Sequence, residues 1–198
     1  MITAIPHHFY SIIDPPNKKE LLETFVNPNL HEDQSCEWND GCLVKVEKLN
    51  IQNNIFKPSI DTFLEEINQY LFKLNTNILR MRIVEVWKNT YEKGYFQETH
   101  DHLPLHLSGV VFLTDEQEGD SRFFFHNHHS NEVSKAWREI GVSIDKHYIK
   151  AERGKVLLFP SYMLHGVTVH KTNGSYLTVS KRSHPLTDDS AMNTYGSS

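Results

Sequence analysis

Residues 94–113 read GYFQETHDHLPLHLSGVVFL, with His100 and His102 set two apart between Gly94 and the apolar run Val110, Val111, Phe112, Leu113. Along an extended strand successive side chains alternate faces, so positions i and i+2 point the same way. The spacing predicts that His100 and His102 present two imidazoles to one point, while Asp101 looks to the opposite face. Imidazole is the commonest metal ligand near neutral pH. The stretch is therefore a candidate half-site that needs at least one further ligand from elsewhere.

On both sides of it the β signal continues. Upstream, MRIVEVW (81–87) and LVKVEKLNI (43–51) alternate, and residues 1–13 read as a strand with mixed faces. Leu21, Leu22, Phe25 and Val26 share one face of a helix ended by Asn27 and Pro28. The polar stretch 29–41 reads as a surface loop. A second, longer helix is predicted after Pro58, with Ser59 as its cap, Asp61 in its first turn, and Phe63, Leu64, Ile67, Tyr70, Leu71 and Leu74 as its apolar stripe. Downstream, an acidic turn from Asp115 to Asp120 precedes SRFFFHN. A polar connection, 127–145, includes a short helix around Trp137, and HYIKA, KVLLFP, GVTVHK and YLTVSKR complete the strands.

Roughly eight or more short strands after one long helix describe a mainly β chain with flanking helices, a double-layered antiparallel barrel of the jelly-roll or cupin-like kind, the double-stranded β-helix. A chain of 198 residues suits one domain. Residues 1–80 form N-terminal strands and buttressing helices, 81–183 the barrel core and 184–198 a loose tail. A net charge of −5 excludes a generally basic surface, and so argues against nucleic-acid or anionic-membrane partners. The N-terminus MITAIPHHFY has no basic-then-apolar signal and no apolar run is long enough to span a bilayer, so the expected location is cytoplasmic. In that setting Cys36 and Cys42 are expected as two free thiols. With 13 histidines in the chain, including His7, His8, His128 and His129, position rather than abundance has to identify ligands.

The complementary half lies in ERGKVLLFPSYMLHGVTVHKTNGSYLTVS (152–180). Gly154 opens an apolar strand, Pro160 ends it, and His165 follows the turn. Set there, His165 reaches over the mouth of a barrel to His100 and His102. Two ligands from an early strand and one from a late strand make a facial site with open positions.

Taken together, Trp87, Gly94, His100, His102, Ser108, Gly109 and Val110, with Leu158-Phe159-Pro160-Ser161 and His165-Gly166, resemble the Fe(II)/2-oxoglutarate-dependent oxygenases, especially a prolyl-hydroxylase-like group of bacteria and phages. The resemblance implies a double-stranded β-helix, iron held by His100 and His165, and oxidative decarboxylation of the cosubstrate 2-oxoglutarate. With O2, and ascorbate as an auxiliary reductant, this dioxygenase would act as a hydroxylase on an unactivated C–H bond of a protein side chain or small molecule. It also implies two departures. Most of the superfamily has H-x-D where this chain has His102, which gives a neutral three-histidine site unless a bulge re-aims Asp101 or Glu118 or Asp120 reaches in. The arginine that usually binds the distal carboxylate of 2-oxoglutarate aligns with Tyr176, followed by Thr178; Arg182 lies further along the same strand face, Arg82 and Arg122 are cations on other strands, and Asn89 is a further candidate contact. Substrate identity and oligomeric state are not written in the sequence.

A cupin-type metalloprotein that chelates substrate directly, without 2-oxoglutarate, is the competing reading, since Gly94, His100, His102, Gly154, Pro160 and His165 also fit that family's spacings. The position near His106 lacks its carboxylate, and Tyr162 replaces a glycine. A non-catalytic barrel binding a sugar or peptide is a third, which leaves the ordered histidines unexplained. Other residues have plainer roles: His106 follows Pro104 out of the strand, His126, His128 and His129 form a solvated loop cluster, Phe123, Phe124 and Phe125 pack the core, and Trp87 and Tyr95 are wall residues.

Overall fold

A computed structural model of the chain describes residues 9–26, 31–32, 42–49, 53–70, 80–127, 135–140 and 145–186. Twelve strands make two antiparallel sheets among these residues. The larger has the order β1-β10-β7-β12-β5-β4-β2: β1 (Ser11–Ile13), β10 (Val156–Pro160), β7 (Leu107–Phe112), β12 (Tyr176–Leu186), β5 (Arg80–Tyr91), β4 (Lys45–Leu49) and β2 (His31–Glu32). The smaller has the order β3-β6-β11-β8-β9: β3 (Cys42–Leu43), β6 (Phe96–His100), β11 (His165–Val167), β8 (Phe123–His126) and β9 (Lys146–Ile149).

The alternation seen in the sequence sorts the larger sheet into two cores. Its outer face, with Val111, Val156, Leu158 and Val179, packs against helix α1 (Lys18–Val26) through Leu21 and Phe25 and helix α2 (Lys57–Tyr70) through Ile60, Phe63 and Leu64. Its inner face, with Trp87, Tyr91, Val110, Phe112, Leu157, Phe159 and Tyr176, meets Phe123, Phe125, Ile149 and Val167 of the smaller sheet. Strands β7 and β10 are buried along their whole length, as strands covered on both faces must be.

Register orders the interior in depth. Trp87, Ser180 and Val110 lie side by side across β5, β12 and β7; Asn89, Thr178 and Phe112 form the next layer, and Tyr91 with Tyr176 the one beyond. In the other direction Glu85, Arg182 and Ser108 share a layer.

Several expectations are corrected. Helix α2 starts at Lys57, after a 3-10 turn (53–56), so Ser59 lies inside the helix and is fully buried rather than capping it. Asp61 accordingly sits past the first turn, where it pairs with Lys57. Pro58 is tolerated because a first-turn N–H has no helical partner to lose. Within the expected loop 29–41, His31–Glu32 is a strand that pairs with β4. Strand β12 continues to Leu186, so residues 184–186 belong to the sheet rather than to a tail. Strand β11 stops at Val167, short of the expected GVTVHK. The short helix near Trp137 is α3 (Lys135–Glu139). Residues 1–8, His128, His129, Cys36, Leu71, Leu74 and 187–198, and the side chains of Cys42, Tyr70, Arg82 and Arg182, lie outside the described residues.

Candidate metal centre

Strand β6 ends at His100, and His102 lies just past it rather than on it. Asp101 turns outward and accepts the Leu103 N–H through Oδ1 at 3.1 Å, an Asx-type turn. The His102 N–H donates instead to Ser161 O at 2.9 Å. The two histidines still converge, but through a turn and not through strand alternation. His165 opens β11, directly opposite His100 and Phe125 on the flanking strands. Gly166 permits this fit: a Cβ there would stand 2.9 Å from both Gln97 O and the Phe124 ring. Gly94, at φ +88°, makes the turn that leads β5 into β6.

The three rings form a triangle with centroids 5.0 Å (His100–His102), 4.4 Å (His100–His165) and 4.7 Å (His102–His165) apart. One ligand atom from each falls within 4.8 Å of the others, and the group contains no carboxylate. His100 Nδ1 lies 2.8 Å from Glu98 O, and His165 Nδ1 lies 2.9 Å from Met163 O. A carbonyl only accepts, so both imidazoles carry their proton on Nδ1 and their lone pair on Nε2, the tautomer a metal needs. His165 Nε2 is 3.1 Å from His102 Nε2. Two nitrogens about 2.1 Å from one ion at a right angle lie about 3.0 Å apart. The donor set fits a facially bound divalent ion. Trp87 meets His102 edge-on at 5.9 Å, Phe123 stacks on His165 at 5.4 Å, and Phe159 meets His165 at 4.9 Å.

The motif serines tie the two blocks together. Ser108 and Ser161 hydroxyls are buried and hydrogen-bonded at 2.8 Å, and Ser161 supplies the carbonyl that holds His102. The sequence presents both serines as motif residues without revealing that contact.

Of the other candidates, Glu118 is exposed, and Asp120 accepts Gln117 N and Thr172 Oγ1; neither belongs to the histidine group. Arg122 is exposed, lying over Tyr148 and bridging Glu116 at 3.1 Å. Arg182 stands, by register, on the far side of the Trp87 layer from Thr178. His106 and Tyr162 are exposed, Tyr95 packs against the inner core, and Phe124 faces Lys146 and Tyr148 outside the barrel.

Inside the barrel, Asn89 Nδ2 donates to Ser180 Oγ at 2.9 Å and Thr178 Oγ1 at 3.3 Å. Asn89 Oδ1 and Tyr176 Oη are buried with no hydrogen-bond partner among the described residues, an arrangement that calls for a missing partner. Burial, with smaller contributions from Tyr91, Glu116 and Asp120, pushes the Tyr176 phenol well above its ordinary pKa. The hydroxyls of Thr178, Ser180 and Tyr176 are donors suited to the far end of a 2-oxo acid, so the interior fits such a group.

The sequence did not reveal a cavity of about 440 Å³ lined by Tyr10, Phe125, His126, Asn127, His147, Met163 and Leu164. Tyr10, next to β1, joins His147 of β9 at 2.7 Å and so closes the seam between the two sheets. Residues this far apart in the chain give no local signal. Among the described residues, no helix is long and apolar enough to cross a membrane.

Residues 85–181 match a family described as "Putative 2OG-Fe(II) oxygenase". No curated protein matches the chain in sequence. Among solved structures, the chain is similar to a Pseudomonas putida prolyl-4-hydroxylase at 14% identity, covering 90% of this chain and 94% of that one with a TM-score of 0.57. It is similar to a Trichoplax adhaerens prolyl hydroxylase, solved with a peptide fragment of the hypoxia inducible factor oxygen degradation domain, at 11% identity, with 92% and 86% coverage and a TM-score of 0.59. It is also similar to HygX from Streptomyces hygroscopicus, solved with nickel, 2-oxoglutarate and hygromycin B, at 14% identity, with 89% and 83% coverage and a TM-score of 0.55. At such identities the likeness is one of fold, the double-stranded β-helix, as the strand pattern predicts. The family match favours an oxygenase over the cupin reading.

Proposed function

We propose, from the premise that the chain belongs to the 2OG-Fe(II) oxygenases through residues 85–181, that it is a dioxygenase that hydroxylates a peptide side chain or small molecule, with His100, His102 and His165 as the residues that would hold Fe(II). The observation that carries the reading is the triangle of imidazoles at the barrel end, two with the tautomer fixed by Glu98 O and Met163 O. Iron bound there, with 2-oxoglutarate and O2, supplies the oxidation that turns a C–H into a C–OH while 2-oxoglutarate leaves as succinate and CO2. Ascorbate serves to keep the metal ferrous.

The chain's own residues do the rest. The two carbonyls orient His100 and His165, Ser161 O fixes His102, and Trp87, Phe123 and Phe159 keep water from the imidazoles. Asn89, Thr178 and Tyr176 receive the cosubstrate in the layers behind the metal. With Arg182 on the other side of the Trp87 layer, we assign it no part in that anchor. The substrate group enters through the cavity formed by Tyr10, Phe125, His147, Met163 and Leu164, the residue before His165.

Purified protein given Fe(II), ascorbate and labelled 2-oxoglutarate in air should release succinate, even without substrate, and His165→Ala should not. Tight iron binding with no succinate formed would instead support direct chelation of substrate in a three-histidine cupin manner.

A further inference from the structure

Behind the triad, the described buried side chains bring polarity without a fixed charge. The buried polar side chains among the described residues are Ser59, Asn89, Gln97, His102, Ser108, Ser121, Ser161, His165, His170 and Thr178, with no lysine, arginine or carboxylate among them. One layer beyond Trp87, which edges His102, stand Asn89 and Thr178. Two residues along a strand advance ~7 Å, a distance suited to a five-carbon 2-oxo acid chelated at the metal.

At that depth the unfilled requirement includes an acceptor. Asn89 spends its amide N–H groups on Ser180 and Thr178, and its Oδ1 has no partner among the described residues. The deeper Tyr176 Oη is likewise without one, and Glu116 and Asp120 act on that phenol as nearby negative charges. No cation stands among the described buried side chains to meet a carboxylate entering here, and a carboxylate has no hydrogen to give Asn89 Oδ1. A carboxamide satisfies both sides. Its N–H donates to Asn89 Oδ1, and its oxygen accepts from a hydroxyl of Thr178, Ser180 or Tyr176.

We propose that Asn89, Thr178, Ser180 and Tyr176 form an uncharged cradle, and that this chain takes a 2-oxo acid with a neutral, hydrogen-bond-donating far end at least as well as 2-oxoglutarate. The proposal rests on the oxygenase reading, because it needs a 2-oxo acid anchored at the metal.

Two inert analogues test it: N-oxalylglycine, which ends in a carboxylate, and N-oxalylglycinamide, the same frame ending in a carboxamide. Binding of each to the Zn(II)-loaded protein is measured by calorimetry. The carboxamide should bind as tightly as the carboxylate or tighter. Asn89→Leu should weaken the carboxamide by about tenfold or more, the effect of leaving one polar partner unpaired; Thr178→Val provides the same check if the first variant does not fold. A preference for N-oxalylglycine of about tenfold or more overturns the cradle and leaves the oxygenase reading standing. Failure of both analogues to bind the metal-loaded protein overturns the 2-oxo-acid reading, and the cradle with it.

Discussion

His102 occupies a place where the resemblance leads one to expect an acid, and Asp101 beside it is exposed and committed to the Leu103 N–H. His102→Ala should therefore weaken divalent-metal affinity by at least about 100-fold, more than the loss of an outer-shell partner costs. Asp101→Ala should leave it within a few-fold, and calorimetric titration of both variants decides the matter. Tyr176 allows a test through stability. Its buried hydroxyl has no partner among the described residues, so Tyr176→Phe should stabilise the ligand-free protein by about 1 kcal/mol at neutral pH. The phenol ionises higher in the folded chain than its ordinary 10.0, so the stability tied to its neutral form is complete below pH 10 and falls as pH rises towards the folded value. The Tm advantage of Tyr176→Phe should therefore widen from about pH 9 to about pH 11. The three histidines could be picked out in the sequence because two are near neighbours and the third follows a Pro-ended strand. Their tautomers could not, since Glu98 O and Met163 O are backbone groups that any residue type supplies.

Strand β11 is three residues long, yet it lies between β6 and β8 and carries His165. Its tolerance for change is smallest at Gly166, wedged against Gln97 O and Phe124. Gly166→Ala should cost about 2 kcal/mol, as overpacking of a tight site does, and should lower metal affinity by moving His165; urea melts and metal titration of the variant measure the two effects. At this scale the sequence read well where alternation or helical period was long: β5, β7, β10 and, of the α2 stripe, Phe63, Leu64 and Ile67. It failed where tertiary pairing decides. The pair His31–Glu32 has no strand signal and joins β4 only because β4 offers an open edge. His102 leaves the strand because its N–H is taken by Ser161 O across the barrel. Ser59 looked like a cap because Pro58 seemed to mark the start, whereas the 3-10 turn before it moves the helix start to Lys57.

The molecule as a whole keeps two cores apart with one sheet. Leu158 faces the helices and Phe159 faces the barrel, one residue apart on β10. Each is fully buried, so Leu158→Ala should cost about 3 kcal/mol and Phe159→Ala about 4 kcal/mol in chemical denaturation. Only the second removes a ring that touches His165, so only Phe159→Ala should also loosen metal binding. Loss of metal affinity in both variants would mean the cores are not independent. The two-layer barrel was legible from strand count and alternation, but the seam joining Tyr10 to His147, and the cavity it closes, depend on residues 137 positions apart and left no pattern to read. In the proposed function, His100, His102 and His165 together hold one divalent iron. Anomalous diffraction at the iron edge, from crystals grown without oxygen in Fe(II), tests it directly. A single peak about 2.1 Å from a nitrogen of each of the three histidines is the predicted result; a peak that excludes His102 or includes Asp101, or no peak among the three rings, would contradict it.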